Sequence, residues 1–404
     1  MNDIQRQIFN AQWMNDPYPM YAILRQEMPV CRVRDTHFHF VSRYDDIAAV
    51  LKDPSTFSSR SPGFIRLCDN GELELRTAPD DERAGRILGV EDPPVHTEQR
   101  RKLSLVFNRR VKRIEAEIDA YCQKLARELP RDEPFDFMGR CARDVPSWAI
   151  CTLLGIPMDM QGQLVRWAHD AITLMLGTVN DAGFLRSGMA ALELQQYLTG
   201  FYASVARDKP DNMSGDLAAM VEAGELEPET ALGMLFQLVV GGADTTASWI
   251  GSTLLLLLRD REAMRLLQDE NTRLALLEET LRLETPSQGN YRVVTTATEL
   301  AGTRLPAGAA LVLLWGSANR DQTVFSQPDA IRVDREAKPH LGFGRGIHAC
   351  LGANLARTEC RAVFTALADL VPKMRPMGDL AAPDWTPSLF SRQLETLAVC
   401  IDTR

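Results

Sequence analysis

The run PETALGMLFQLVVGGADTTASWIGSTLLLLLRD (228–260) is apolar almost all round its helical projection, which predicts a helix buried on every side. At about 1.5 Å per residue it would span roughly 45 Å, enough to cross the whole molecule. Its centre breaks the pattern, because GGADTT (241–246) sets two glycines, a carboxylate and two hydroxyls inside the apolar stretch. Two mid-helix glycines cost on the order of 1–2 kcal/mol relative to alanine. Two readings are open from the helix alone. One is a kink in which Thr245 or Thr246 hydrogen-bonds the carbonyl one turn back. The other is a widened turn where a small ligand lies against the backbone and a hydroxyl and a carboxylate pass protons.

Helical spacing dominates from Thr97 to about Thr272, with breaks at LPRDEPFD and RDKPDNMSGD. Before it, VCRVRDTHFHFVSRY (30–44) reads as two short strands turned at Asp35-Thr36, and DDIAAVLKD has helical spacing. After it, NYRVVTT and AALVLLW are strand-like. Residues 61–94 are rich in Gly, Pro, Asp and Arg and predict a long irregular connection of the kind that carries function. No linker or repeat divides the chain. The expectation is a mainly α fold with a smaller β portion, as one domain over 1–404.

Composition narrows the function. Over 404 residues, 45% are hydrophobic and 25% charged, as in a soluble globular protein. A net charge of −9 argues against a nucleic-acid binder. The start, MNDIQRQIFNAQW, has no signal segment or anchor, and LLLLL at 254–258 is too short for a bilayer, so no membrane association and a cytoplasmic location are expected. Eight cysteines are scattered without a CxxC pair or zinc spacing, as buried thiols in a reducing compartment would be.

Cys350 is the exception. It lies in HLGFGRGIHACLGANLAR (340–357) among Gly342, Gly344, Gly346 and Gly352 and runs straight into a helical pattern. Glycine is placed where a Cβ does not fit, so something large should approach this backbone. Other candidates are spread along the chain. Glu279 and Arg282 lie three apart in EETLRLETP, which alone reads as an ordinary helix-surface pair worth a few tenths of a kcal/mol. His96 and Arg100 form an i,i+4 pair after Pro94, Arg292 sits in an otherwise buried strand, and His348 precedes Cys350 by two residues. As a group these four suit an anionic ligand.

Together these segments resemble the cytochrome P450 family. FGRGIHACLG (343–352) is similar to the family's FGxGxHxCxG signature at every fixed position. GGADTT resembles its oxygen-binding helix motif, Glu279-x-x-Arg282 its ExxR motif, and HTEQR its HxxxR, in the family's order, from about Tyr18 to the C-terminus. The length and missing anchor are similar to the bacterial soluble class. The resemblance implies the P450 fold, with haem b between the long central helix and the cysteine-loop helix. It implies Cys350 as thiolate ligand of the haem iron, the N-terminus of the following helix favouring thiolate. It implies that Gly344 and Gly352 admit the porphyrin face and that Phe343 shields the sulfur. His96, Arg100, Arg292 and His348 become haem-propionate partners, and Asp244 and Thr245 the proton-delivery pair. Gly241 and Gly242 open the oxygen groove, while Glu279 and Arg282 become a structural pair with a third partner at Arg335. The chain departs from the family pattern at Ile331-Arg332, where Phe-Asp is usual, and at Gly342, where Ala or Ser is commoner.

The implied activity is monooxygenation: one atom of O2 enters a substrate, with electrons from NAD(P)H through a separate ferredoxin or flavodoxin and its reductase. About fifty residues follow the cysteine segment, so no fused flavin reductase is expected in what is expected to be a monomer. The basic run RRVKR (109–113) is either a solvated helix face or a docking patch for the acidic donor. A peroxide-using haem enzyme is the nearest rival, disfavoured by the intact Asp244-Thr245 pair. A haem-binding sensor is disfavoured by the pocket walls expected from 61–94 and AITLMLGTV (171–179), and a cysteine nucleophile using His348 leaves the glycines unexplained. Gln288, Gly289, Asn290 and Ser388, among apolar neighbours, point to a steroid- or terpenoid-sized small apolar substrate with a few oxygens. Hydroxylation or O-demethylation of small aromatics is the alternative.

Overall fold

The computed structural model describes residues 9–33, 36–60, 64–76, 88–336 and 339–403. Its helices of eight residues or more are α1 (Tyr18–Glu27), α2 (Tyr44–Lys52), α3 (Val95–Glu128), α4 (Asp144–Leu154), α5 (Gln161–Leu176), α6 (Asp181–Asp208), α7 (Met213–Glu222), α8 (Pro228–Arg259), α9 (Arg261–Gln268), α10 (Glu270–Leu283) and α11 (Ala353–Ala366). The apolar run at 228–260 becomes α8 without interruption: GGADTT stays α-helical. That helix is held between α4, α5, α10 and α11, which explains why its sequence is apolar on all sides. The other helices follow local signals. Asn180 and Asn212 cap α6 and α7 through side-chain oxygens, and Asp260 and Asp269 do the same for α9 and α10. No described helix is long and apolar enough to cross a membrane.

The strands are β1 (Val30–Arg32), β2 (Phe38–Val41), β3 (Phe57–Ser58), β4 (Phe64–Leu67), β5 (Leu73–Arg76), β6 (Pro134–Asp136), β7 (Thr178–Val179), β8 (Asn290–Val294), β9 (Thr298–Leu300), β10 (Thr303–Leu305), β11 (Ala310–Leu313), β12 (Met374–Pro376) and β13 (Ala398–Ile401). Five form one sheet in the order β1-β2-β11-β8-β3. The expected hairpin at 30–44 is its edge, with Val30 opposite Val41, although Asp35 of the expected turn lies outside the described residues. Central β11 runs parallel to β2 and antiparallel to β8, and its four residues are buried, as a strand covered on both faces requires. A small second core of Ile47, Leu51, Leu311 and Trp315 fills the space between this sheet and α2.

The connection at 61–94 differs from its expectation. Its described part contains a hairpin, β4 against β5, turned at Asn70-Gly71 with Gly71 at φ +81°. β4 also runs parallel to β7 between α5 and α6, and Thr178 bridges to Ser388. Three segments far apart in sequence thereby meet at β7. Residues 61–63 and 77–87 of that expected connection lie outside the described residues.

Candidate active site

A cavity of about 370 Å³ lies between α8, strand β8 and the segment carrying Cys350. The cysteine segment is a tight turn. Gly344 and Gly346 hold φ +63° and +74°, and a Cβ on Gly346 would stand 2.9 Å from the Leu51 carbonyl oxygen. The expected glycine requirement is therefore met, but mostly by the turn and by protein neighbours. Gly342 is pressed against Leu281, and a Cβ on Gly352 would meet only Cys350 Sγ, at 3.8 Å. The turn closes with Cys350 N–H donating to Phe343 O at 2.8 Å, and Gly352 caps α11. Phe343 meets Trp249 edge-on at 5.8 Å and lies under the Arg357 guanidinium at 4.5 Å.

Seven of the eight cysteines are buried, whereas Cys350 is exposed on the cavity wall. Burial beneath that wall pushes its thiol up, against the pull of the Gly352 and Ala353 N–H groups and of the Arg100 and Arg357 charges.

His96, Arg100, Arg292 and His348 converge at one edge of the cavity, with His96 standing behind His348 at 4.1 Å between ring centroids. Arg100 and Arg292 donate only to the backbone carbonyls of Ala349 and Tyr291, at 2.6 Å each. Among the described residues neither pairs with a carboxylate within ion-pair distance. Both ring nitrogens of His96, Nε2 of His348 and the Ser59 hydroxyl are buried without a hydrogen-bond partner. Burial, reinforced by the neighbouring His96 and Arg292, lowers His348 to about 3, and burial lowers Arg292 to about 10. Buried cations and orphaned imidazoles are costly unless an anion completes them. Ser59 escaped the sequence analysis because it precedes the segment judged functional. Asn290 shares a strand face with Arg292, since residues two apart in β8 point the same way.

On α8 neither reading of GGADTT holds in full, because the segment is neither kinked nor widened. Thr245 Oγ1 donates to Gly241 O at 2.7 Å, the bond expected of a kink, yet the helix does not break. A Cβ at Gly241 would meet nothing within 4 Å, which leaves the cavity open there. Gly242 instead serves helix packing, because a Cβ would stand 2.5 Å from Ile150 Cδ1 of α4.

Asp244 is placed otherwise than expected. It is 4% exposed and does not line the cavity. Its carboxylate is held by His169 Nδ1 of α5 at 3.0 Å and by the Gln393 amide. Glu395 lies on the far side of the imidazole, 3.7 Å from Nε2. Burial alone would lower His169, but Asp244, with Glu395 behind it, holds it up at about 10. A raised imidazole stabilises the fold fully below its unfolded value near 6.5, and the contribution fades as the pH climbs to about 10. His169 and Gln393 were missed because they lie 75 and 149 residues from Asp244. In Asp244→Asn the His169 pKa is expected to fall toward or below the ordinary imidazole value. Carbon-13 histidine resonances followed against pH would show it, and a value still near that of the parent would refute the pairing.

Glu279 and Arg282 are no surface pair. The side chain of Arg282 is 1% exposed and grips Glu279 through Nε and Nη2 at 2.7 and 2.8 Å. Arg335 Nε reaches the same carboxylate at 2.8 Å, and the Arg332 N–H adds a fourth bond at 3.1 Å. Glu359 of α11 is fully buried with neither oxygen satisfied, Thr246 being the polar group that bears on it, and burial raises it well above the carboxylate range.

Three cations of RRVKR pair with carboxylates, although Arg109 and Arg113 stay exposed. Arg110 is buried and clasps Asp216 at 2.6 Å, Arg109 joins the same carboxylate at 3.2 Å, and Arg113 reaches Asp211 at 3.6 Å. The expected substrate contacts also shift. Gln288 donates to Thr285 O and packs on Gly316, and Ser388 donates to Gly177 O, so both are structural. Asn290, Gln237 and the apolar Ile172, Met175, Leu176 and Met234 line the cavity.

A family profile described as Cytochrome P450 matches residues 193–368. The chain is 32% identical over 396 residues to Cytochrome P450 144 of Mycobacterium tuberculosis, covering 97% of this chain and 91% of the relative. It is 30% identical over 414 residues to the Vitamin D(3) 25-hydroxylase of Pseudonocardia autotrophica, covering 99% and 97%. Among solved structures it is similar to CYP109E1 from Bacillus megaterium in complex with testosterone, with TM-score 0.86, 28% identity and coverage of 97% and 99%.

Proposed function

The chain belongs to the cytochrome P450 family, and from that premise we propose that it is an oxygen-dependent haem-thiolate monooxygenase of neutral, largely apolar molecules of steroid or terpenoid size. The observation that carries this reading is the pairing of one exposed thiol with a set of uncompensated cations and orphaned imidazoles on the same cavity. Haem fits that donor set: Cys350 would hold the iron, and Arg100, Arg292, His96, His348 and Ser59 would take the propionates. When bound, haem supplies the activation of dioxygen and the insertion of one oxygen atom, at the expense of two electrons and two protons.

The chain's own residues do the rest. Gly352 and Ala353 N–H groups and the Arg100 and Arg357 charges favour the thiolate form of Cys350. Glu279 locks Arg282 and Arg335 behind the cysteine segment as a rigid support. Thr245 has its proton on the Gly241 carbonyl and can turn its hydroxyl into the cavity. Asp244 stands beside it in the helix, its carboxylate turned off the cavity to His169 and Gln393, and would relay protons only on leaving those partners. The apolar wall from α5 and α8 excludes water from the reacting end. Electrons would come from NAD(P)H through a ferredoxin or flavodoxin. With Arg110 buried against Asp216, the exposed Arg109, Lys112, Arg113 and Arg345 are cations available for its docking.

The size of substrate is supported by the apolar wall, and two similar proteins are named with molecules of that size, a vitamin D(3) 25-hydroxylase and a structure in complex with testosterone. Thr245→Ala tests the proton-handling role. It should retain haem while coupling of NAD(P)H consumption to product falls roughly tenfold or more and hydrogen peroxide rises. Coupling equal to the parent's would remove Thr245 from the reaction.

A further inference from the structure

The cavity wall formed by α8 carries one side chain with unused hydrogen-bond donors. Gln237 stands four residues before Gly241 and eight before Thr245, on one stripe of the helix. Its Oε1 accepts the backbone N–H of Gly89 at 3.2 Å, from the short 3-10 turn Leu88–Val90. A backbone N–H can only donate, so it fixes the amide with oxygen toward Gly89 and leaves the Nε2 group, with two N–H donors, free. Gly89 permits this close seat, because a Cβ there would stand 2.7 Å from Nε2.

The surroundings say what those donors can take. Among the described cavity residues the cations are Arg100 and Arg292, both at the edge shared with His348. A carboxylate at Gln237 would therefore lie in an apolar chamber without a counter-charge, and an ammonium would face donors. Met234, Leu238, Ile172 and Met175 line the same cavity with hydrocarbon.

We propose that Gln237 is a specificity-determining residue that binds a neutral acceptor oxygen, a carbonyl or ether, of an otherwise apolar substrate. The inference rests on the cavity being the substrate chamber of a monooxygenase. Gln237 lies about 6 Å along the helix axis from Gly241 and about 12 Å from Thr245. The anchored oxygen and the oxidised carbon are thus several bonds apart, so oxidation falls remote from the carbonyl and not beside it.

Optical titration of the haem-loaded protein with androst-4-ene-3,17-dione and 5α-androstane tests this, in the parent and in Gln237→Met, which keeps the length and removes the donors. The ratio of the two affinities cancels what the hydrocarbon skeleton contributes. It should drop by about tenfold in Gln237→Met. Equal imidazole affinity in both proteins shows that the variant cavity is intact, and thermal unfolding shows that the fold is. An unchanged ratio overturns the inference and leaves the monooxygenase reading standing. A parent that binds imidazole but neither polycyclic probe overturns the inference together with the substrate size. A folded parent that takes up no haem overturns the functional reading itself, which its absorption spectrum reports separately.

Discussion

Arg282→Ala is expected to destabilise the protein by about 3–5 kcal/mol, the range for removing one partner of a buried ion pair. The guanidinium spends every donor inside the protein. Beyond Glu279, its Nη1 bonds the carbonyls of Asn319 and Pro328 at 2.8 and 2.6 Å, and its Nη2 that of Ala330 at 3.1 Å. Alanine would leave Glu279 with Arg335 and the Arg332 N–H, and would take the guanidinium donor from the Asn319 and Pro328 carbonyls, in a protein whose whole margin is of order 5–15 kcal/mol. Those carbonyls belong to the chain leading into the cysteine segment, and Asn319 Oδ1 in turn holds the Leu341 N–H at 2.6 Å. The loss should therefore reach the haem site. Arg282→Lys should rescue little, because an ammonium cannot supply the planar fork. Thermal unfolding and retained haem are the measurements. A midpoint within a degree or two of the parent's would refute the structural role.

How much of this was legible in the sequence depends on the range over which each feature is specified. The cysteine turn was, since its glycines, Phe343, His348 and Cys350 lie within ten residues and each position is constrained locally. The buried α8 was too, because an all-round apolar pattern too polar at its centre to cross a membrane points to burial on every side. The hairpin β1–β2 followed from alternation and a short turn. The β4–β5 hairpin was missed although Asn70-Gly71 is a strong turn signal, because the surrounding Gly, Pro and Asp content reads as irregular.

The side chains of the site were harder. Arg282 reads as a surface residue by spacing alone, and only its partners at 319, 328 and 330 make it a core residue. RRVKR reads as either a solvated helix face or a docking patch, and only the segment about a hundred residues on, with Asp216 in α7, shows that Arg110 is held inside. Gln288 and Gln237 are indistinguishable in composition. What separates them is that Thr285 O takes the amide N–H of Gln288, while Gly89 N–H takes the oxygen of Gln237 and leaves its donors free. Asp244 was identified as a functional acid from its neighbours in sequence, but its orientation away from the cavity is set by His169 and Gln393. In each case the local pattern names the residue and a distant backbone or side chain decides what it can do.

Cys350→Ala should abolish monooxygenation while leaving the fold intact. The two outcomes separate because the thiol is on the cavity wall and fills no core position, unlike the other seven cysteines. The turn that presents it is held by backbone: Cys350 N–H to Phe343 O at 2.8 Å and Gly344 N–H to Leu341 O at 2.9 Å, neither of which needs the side chain. Alanine should therefore cost little stability, within about 1 kcal/mol for an exposed position. Haem should still enter, held by Arg100, Arg292 and the two histidines, but more weakly and without the electron donation a thiolate provides. The long-wavelength ferrous–carbonyl absorption band characteristic of thiolate ligation should vanish, and product formation with it. Cys350→Ser distinguishes ligation from packing, since it restores the volume and a hydroxyl but not a thiolate. If either variant turned over at the parent's rate, another residue would have to be the iron ligand, and among the described cavity residues His348 is the one with a free ring nitrogen to take its place.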